Sequence, residues 1–260
     1  MKKKIYISNN DICDIITANA KSASEHFDFE LKLVDEKNML KAITSNHADL
    51  ALVSPLVYGM CMNKADLRII PEKCLAFVGF NGKSSILFRQ GEKNLSKVGA
   101  LHINDYLSVI AKILFSERYD IEPQFVEYSG SSTEIPQELS AILRIGDFPD
   151  KSSLDLSEDW FDSFEFPLPI AFWVGRNEEI IPEFIDFIKS SAADELPTEY
   201  PVHEHIDENT GQYVRSGSVI TKWNDEVRSA LDQTLQMLYL RTYFTDIPAV
   251  KLVGDENFLV

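Results

Sequence analysis

The chain has 260 residues, 45% of them hydrophobic and 25% charged, with 11 glycines and 11 prolines, which excludes collagen-like, low-complexity and disordered classes. Its formal charge is −16 and unevenly spread: residues 1–90 carry 12 basic against 10 acidic side chains, residues 91–260 carry 13 against 31. A protein this acidic repels nucleic acid and anionic membranes, so neither is an expected partner, and a small anion would need local N–H groups, hydroxyls and a few cations to hold it.

No apolar run reaches the ~18 residues of a membrane span. After its lysines the N-terminal stretch places Asn9, Asn10, Asp11 and Asp14 where a secretory signal needs apolar residues, so a cytoplasmic protein is expected. KIYI (4–7) reads as a strand, followed by the polar turn SNND and a helix from near Ile12. FELKLVD alternates Phe29, Leu31 and Leu33 with Glu30 and Lys32, the period of a half-buried strand. MLKAITSNHADLALVSPLVYG then reads as helix, turn, buried strand ALV and a Ser54-Pro55 exit, so the spacing predicts parallel βαβ units.

LAFVGFNGKSSILFRQ holds two strand-like halves around the turn signal Asn81-Gly82. KVGALHIND predicts a strand ending at His102, and NDYLSVIAKILFSERY an amphipathic helix that Asn104 can cap. IEPQFVEY, the hydroxyl loop SGSST and the strand LSAILRIGD come next, then the long apolar strand LPIAFWVGR. NEEIIPEFIDFIKSS reads as a helix capped by Asn177, and VITKWNDEVRSALDQTLQMLYLRTYF as one long closing helix. Two lobes are expected, one of residues 1–90 plus 175–260 and one of residues 91–174.

Several motifs carry little. Gly82-Lys83-Ser84 lacks the upstream glycine of a phosphate loop, since Phe77 stands there, and is followed by strand-like ILF. His203-Glu204-His205 has no third ligand at a recognisable offset, so no metal is expected. Asp155, Glu158, Asp159 and Asp162 read as a solvated helix start beside Trp160. Cys13, Cys61 and Cys74 form no CxxC and are expected to be reduced and structural. The informative groups are hydroxyls and amides at strand ends: Asn9 and Asn10, Ser54, Ser84 and Ser85, Asn104, and Ser129 to Thr133. In an open parallel sheet the crevice beyond the strands' carboxyl ends is the usual ligand site.

ADLALVSPLVY, SSILF, AKILFSERYDIEPQF, LRIGD, DLSEDW and PLPIAFW, in this order, make the chain similar to the menaquinone-biosynthesis enzymes of the futalosine route, chorismate dehydratase above all. The ERYxIEPxF and DLxEDW pieces are the specific ones. The resemblance implies an α/β, two-lobed periplasmic-binding-protein-like (type II) fold with a ligand cleft between the lobes, SSILFRQ and LPIAFWVGR being the crossing strands. It implies a catalytic Asn9, in the place of the Asn that follows the family's first strand, and a substrate-binding Ser85 at the head of SSILF. Ser54, in a reversed Pro-Ser pair, Asn104, Ser108 and Asp147 complete the expected substrate-binding set. HINDYLS (102–108) departs from the family's serine-rich helix start and keeps only Ser108, and Ile145-Gly146-Asp147 replaces the sister enzyme's Ile-His-Glu. Two functions are carried forward: a carbon–oxygen lyase acting on a small anionic substrate without metal or organic cofactor, and a non-catalytic binding or sensor protein for a small carboxylate.

Overall fold

The computed structural model describes residues 2–92, 94–130, 133–146, 148, 153–193, 205–206, 213–215 and 217–255. Strand β1 (Lys4–Ser8) leads through a 3-10 turn (Asp11–Cys13) to helices α1 (Asp14–Thr17) and α2 (Ala20–His26). Strand β2 (Glu30–Val34), helix α3 (Glu36–Thr44), strand β3 (Leu50–Val53), helix α4 (Pro55–Cys61) and strand β4 (Leu67–Gly79) follow. Next come β5 (Ser84–Phe88), β6 (Lys97–Ala100), α5 (Tyr106–Tyr119), β7 (Gln124–Glu127), β8 (Ala141–Ile145), β9 (Leu154–Asp155) and α6 (Leu156–Phe164). Strand β10 (Leu168–Arg176), a second 3-10 turn (Asn177–Glu179), α7 (Pro182–Ser191), the short β11 (His205–Ile206) and β12 (Tyr213–Val214), β13 (Gly217–Lys222) and α8 (Asp225–Leu240) end the order.

Packing divides the chain into two α/β units, one of Met1–Ala76, Leu168–Glu199 and Val219–Val260, the other of Phe77–Pro167 and Tyr200–Ser218. The first holds most of a six-stranded sheet in the order β13-β4-β10-β3-β1-β2, the second a five-stranded sheet in the order β7-β6-β8-β5-β9. Both are mixed. β1 is parallel to β2 and β3 as the βαβ reading predicts, and β10 is antiparallel to β3. In the second sheet β6 is parallel to β7 and β8, whereas β5 is antiparallel to β8 and β9.

Three expectations need correction. SSILF is β5 of the second sheet, so the first boundary falls inside β4, at Ala76–Phe77, and not near residue 90; the return falls at Pro167–Leu168, where β10 begins. Asn177 opens the short 3-10 turn, while α7 starts at Pro182 behind Ile181, because proline suits the first helical turn, whose N–H has no intrahelical partner. The stretch from Val219 is strand before it is helix: β-branched Val219, Ile220 and Thr221 belong to β13, and α8 begins behind Asn224, whose Oδ1 accepts the Val227 N–H at 2.8 Å.

The first unit's core is built on β3, buried at all four positions, and β10, buried at eight of nine. Phe29, Phe184, Phe187 and Trp173 meet edge to face at centroid distances of 5.7–5.8 Å. In the second unit, α5 and α6 pack through the two sequence pieces that carried the resemblance. Tyr119 donates to Asp159 Oδ2 at 2.5 Å, and Arg118 to Asp162 Oδ2 at 3.3 Å. Trp160 is fully buried against Phe164 and Phe166. Cys13, Cys61 and Cys74 are free and buried, as expected, and burial pushes each thiol up to about 12, which keeps them inert.

Candidate functional site

In the first unit the parallel register Ile7↔Leu52, continued two residues, brings Asn9 and Ser54 level on neighbouring strand exits. Asn9 extends the ladder with its backbone N–H to Val34 O at 2.8 Å and leaves its side chain exposed. It borders a cavity of about 140 Å³ whose polar lining is Ser8, Asn9, Asn10, Asp11, Asp14, Thr17 and Lys21. Its neighbour Asn10 is spent locally, accepting the Ile12 N–H at 3.1 Å to cap the 3-10 turn. Burial and the charge of Asp11 raise the Asp14 carboxyl. Ser54 is the N-cap of α4: its Oγ accepts the Val57 N–H at 3.3 Å, with Pro55 in the first turn.

In the second unit the His102–Ser108 loop is arranged differently from the expectation. Asp105, not Asn104, holds the N-cap position of α5, in extended backbone, and Asn104 is exposed in the preceding turn. The two capping residue types are adjacent, and the helix takes the second as its boundary. Ser108 is buried and donates to His102 O at 2.7 Å, folding the loop back on the helix start. Asp147, Ser131 and Ser132 lie outside the described residues, as do His203 and Glu204.

The densest polar cluster stands at the head of β5. Ser85 is opposite both Arg144 on β8 and Asp155 on β9, so all three share one face of the sheet. Ser85 Oγ accepts from Arg144 Nε at 3.2 Å and from Nη2 at 2.9 Å. The Arg144 guanidinium carbon lies 4.5 Å from the centre of the Phe148 ring, a cation–π contact. Ser84, the preceding residue, is fully buried on the opposite face of the strand and, among the described residues, has no hydrogen-bond partner for its Oγ.

Asp155 corrects the picture of a solvated acidic helix start. It is fully buried and caps α6, accepting the N–H groups of Ser157 and Glu158 at 3.1 Å each and the Gly82 N–H at 2.9 Å. Ser157 Oγ lies 2.6 Å from Asp155 Oδ1 and 2.7 Å from Gly79 O, and accepts from Asn81 Nδ2 at 2.7 Å. Burial raises the Asp155 carboxyl, opposed by the Ser157 and Gly82 hydrogen bonds and the Arg215 charge. Arg215 pairs with Glu158 and stacks over Phe80, and a Cβ at Gly217 would collide with the carbonyl oxygens of Val78 and Phe80. The Asn-Gly turn of the sequence is therefore tied on both sides, with Gly82 in the left-handed region at φ 66°.

Sequence reasoning missed Arg144, Asn81 and Ser157. The available signal for Arg144 was a permanent cation inside the otherwise apolar strand AILRI, a place that arginine occupies only when partnered. Among the described residues, no group of three His, Cys, Asp or Glu side chains could hold a metal ion, and no helix is long and apolar enough to cross a membrane.

The profile of the family described as menaquinone biosynthesis matches residues 12–247. The chain belongs to that family. The matched span takes in Ser54, Ser85, Asn104, Ser108, Arg144 and Asp147, while Asn9 precedes it. No curated protein matches the sequence. Among solved structures, an ABC transporter protein from Parabacteroides distasonis aligns over 98% of this chain and 99% of its own, at 11% identity and TM-score 0.58. A structural-genomics target from Archaeoglobus fulgidus aligns over 92% and 98%, at 14% identity and TM-score 0.54. The periplasmic aliphatic sulphonate binding protein of Escherichia coli aligns over 96% and 95%, at 10% identity and TM-score 0.53. At these identities the likeness is one of fold: this menaquinone-biosynthesis family member has the α/β fold of the periplasmic-binding-protein type, built on two mixed sheets.

Proposed function

We propose that the protein is a carbon–oxygen lyase of menaquinone biosynthesis, chorismate dehydratase-like, that removes water from a small anionic cyclohexadiene. Family membership over residues 12–247 is the observation that carries this reading. The chemistry asks little of the protein. A ring C–H and a ring C–OH bond break, water leaves, and the third double bond makes the ring aromatic, so binding, orientation and polarisation suffice. In this reading Asn9 donates its side-chain amide to the departing hydroxyl, and Ser85 donates to a substrate oxyanion. The exposed Asn9 amide and the buried Ser85 hydroxyl support those roles. Asn104, Ser108 and Asp147 remain part of the proposed substrate-binding set, with Ser54 at the strand exit beside Asn9.

The second reading is a non-catalytic receptor for a small carboxylate. It is favoured by the loop 102–108, where Ser108 is committed to His102 O and Asp105 puts a carboxylate at the positive end of α5. Turnover decides between the two. Purified protein given chorismate should produce 3-[(1-carboxyvinyl)oxy]benzoate, followed by ultraviolet absorbance; binding of chorismate without that product would leave the receptor reading.

A further inference from the structure

We propose that β2, the outer strand of the six-stranded sheet, is a dimerisation edge that pairs antiparallel with β2 of a second copy of this chain, centred on Leu31. β2 ends the strand order β13-β4-β10-β3-β1-β2, so among the described residues β1 is its one neighbour. The bonds on that side are fixed. The Glu30 N–H donates to Lys3 O, and Val34 O accepts the Asn9 N–H, each at 2.8 Å. In a parallel ladder a residue turns both of its backbone groups to one side, and the next residue turns its own to the other. Glu30, Lys32 and Val34 thus bond inward to β1, whereas Leu31 and Leu33 turn N–H and C=O outward, to a side where no described strand lies.

Such a row of outward groups is a template for another strand, and proteins blunt it with a proline, a bulge or an unpaired charge. β2 has none of the three. ELKLV contains no proline, and its register with β1 runs through all five residues without a bulge. Its lysine, Lys32, is neutralised by Glu30 at 3.1 Å and lies over the Tyr6 ring. Leu33 is 62% exposed where its register partner Ile7 is 1%, so the apolar row that includes Leu31 runs out to the edge uncovered. The strong negative charge of the chain lies in residues 91–260, whereas residues 1–90 hold 12 basic against 10 acidic side chains. Long-range repulsion between two copies is therefore weakest on this part of the chain.

The charges select the occupant. Two copies related by a two-fold axis can pair their β2 strands with the axis at Leu31, Lys32 or Leu33. An axis at Lys32 sets that lysine against its own counterpart, and an axis at Leu33 sets Leu31 against Asp35 of the other copy. An axis at Leu31 sets Glu30 of each copy against Lys32 of the other, at the non-hydrogen-bonded positions where facing side chains come closest. The two Leu31 residues then exchange both of their outward bonds, and each Leu33 N–H meets the Phe29 carbonyl of the other copy. The Phe29 N–H takes no part, being spent on Ser24 O at 2.8 Å. Leu33 and Phe29 of the other copy fall on one face of the joined sheet, which covers the exposed leucine. The strand is complementary to itself in charge, and that selects a second copy over a foreign strand.

Sedimentation equilibrium of the purified chain between about 1 μM and about 500 μM reads the association. Wild type should pass from monomer to dimer at about 10–100 μM, since a five-residue edge buries less than the ~1,600 Å² of a standard interface. Lys32→Glu and Glu30→Lys should each raise the dissociation constant at least about ten-fold, because two attractive cross-strand pairs become two repulsive ones. An equimolar mixture of those two variants, and the exchanged Glu30→Lys/Lys32→Glu protein alone, should dimerise within about three-fold of wild type, since both restore opposite charges across the axis. Leu33→Pro removes an outward N–H, leaves the β1 ladder whole and should abolish association. Should it fail to fold, the charge exchange carries the test. Amide hydrogen exchange at Leu31 and Leu33 should slow at the higher concentration. A monomer throughout overturns the proposal and leaves the edge to a strand of another protein. A dimer that Leu33→Pro and both charge variants leave intact also overturns it, because the contact then lies elsewhere. So does a mixture of the charge variants that associates no better than either one alone.

Discussion

The ends of β3 and β5 both present serines, and the two units use them in opposite ways. Ser54, at the exit of β3, is consumed by its own helix: its oxygen accepts the Val57 N–H and closes the first turn of α4. Ser85, near the start of β5, makes no local bond and is held across the sheet by Arg144. The same contrast separates Asn10, which caps the turn it begins, from Asn9, whose amide is exposed beside the cavity. A polar residue at a strand end is thus a structural part where it is the N-cap of the turn or helix that follows, as Asn10 and Ser54 are, and its side chain is left for other work where it is not, as at Asn9.

The largest effect that would break this contrast is at Asp155, where the second unit also has a cap. Asp155→Ala removes one acceptor from three backbone N–H groups at once, those of Gly82, Ser157 and Glu158, in a fully buried place. A lost cap and stranded buried donors together should cost about 3 kcal/mol, or roughly 10 °C in the melting temperature. A melt within about 2 °C of wild type would show that water satisfies those donors and that the buried cap contributes no more than Ser54 does.

Asp159 tests burial against pairing. Its carboxyl is raised above the ordinary value of 3.8, chiefly by burial, with the Tyr119 hydrogen bond and Arg118 pulling the other way. A group with a raised folded value contributes stability that is complete below pH 3.8 and is lost as the pH climbs through the folded value. The unfolding free energy of wild type minus that of Asp159→Asn should therefore be greater at pH 4 than at pH 7, as read by urea titration at the two pH values. A difference that grows toward neutrality would mean that the ion pair with Arg118 outweighs burial.

Much of this architecture was legible in the chain. FELKLVD forms β2 in parallel register with β1, although Leu33 of its apolar period is 62% exposed, and Asn81-Gly82 turns where its left-handed glycine requires. The strand β4 was not legible, because Pro71, Glu72 and Lys73 interrupt an apolar run that the sheet nevertheless continues through Gly79. The start of α8 was blurred because Val219 to Thr221 suit strand and helix patterns alike, and the deciding signal, Asn224 three residues before Val227, is local and short. The candidate site was half visible. Asn9 and Ser85 stood out as polar strand-end residues, whereas Arg144 and the Asp155 network depend on which strands pair, and antiparallel pairing of β5 with β8 and β9 is not written in any one segment.

Caps should show a smaller effect of a different kind. Ser54→Ala and Ser108→Ala each remove one local hydrogen bond, to the Val57 N–H and from the Ser108 hydroxyl to His102 O. Each should cost about 1 kcal/mol of stability, visible in chemical denaturation. Ser85→Ala should cost stability as well, because it strands the Arg144 Nε and Nη2 donors in a buried place, and a loss of ligand affinity beyond that cost is what would set it apart. If all three serines shift stability and affinity in the same ratio, the distinction between cap and free group fails.

The smallest effect on stability is expected at Asn9, and it is the sharpest test because its side chain has no hydrogen-bond partner among the described residues. The amide is exposed, and the residue's hydrogen bond to Val34 O comes from the backbone, which alanine retains. Asn9→Ala should therefore melt within about 1 °C of wild type, since exposed substitutions away from caps and cores change stability by less than ~0.5 kcal/mol. If the amide donates to the departing hydroxyl, the same substitution lowers kcat at least several-fold while KM changes little, because the bond strengthens as charge builds on the oxygen. Asn9→Asp is the complement: it keeps the size, replaces a donor with an acceptor, and adds a third carboxylate beside Asp11 and Asp14, so it should be worse than alanine toward an anion. Aspartate performing as well as asparagine would show that the position contributes shape and not a proton, and the first unit would then hold no free polar group of the kind that Ser85 supplies in the second.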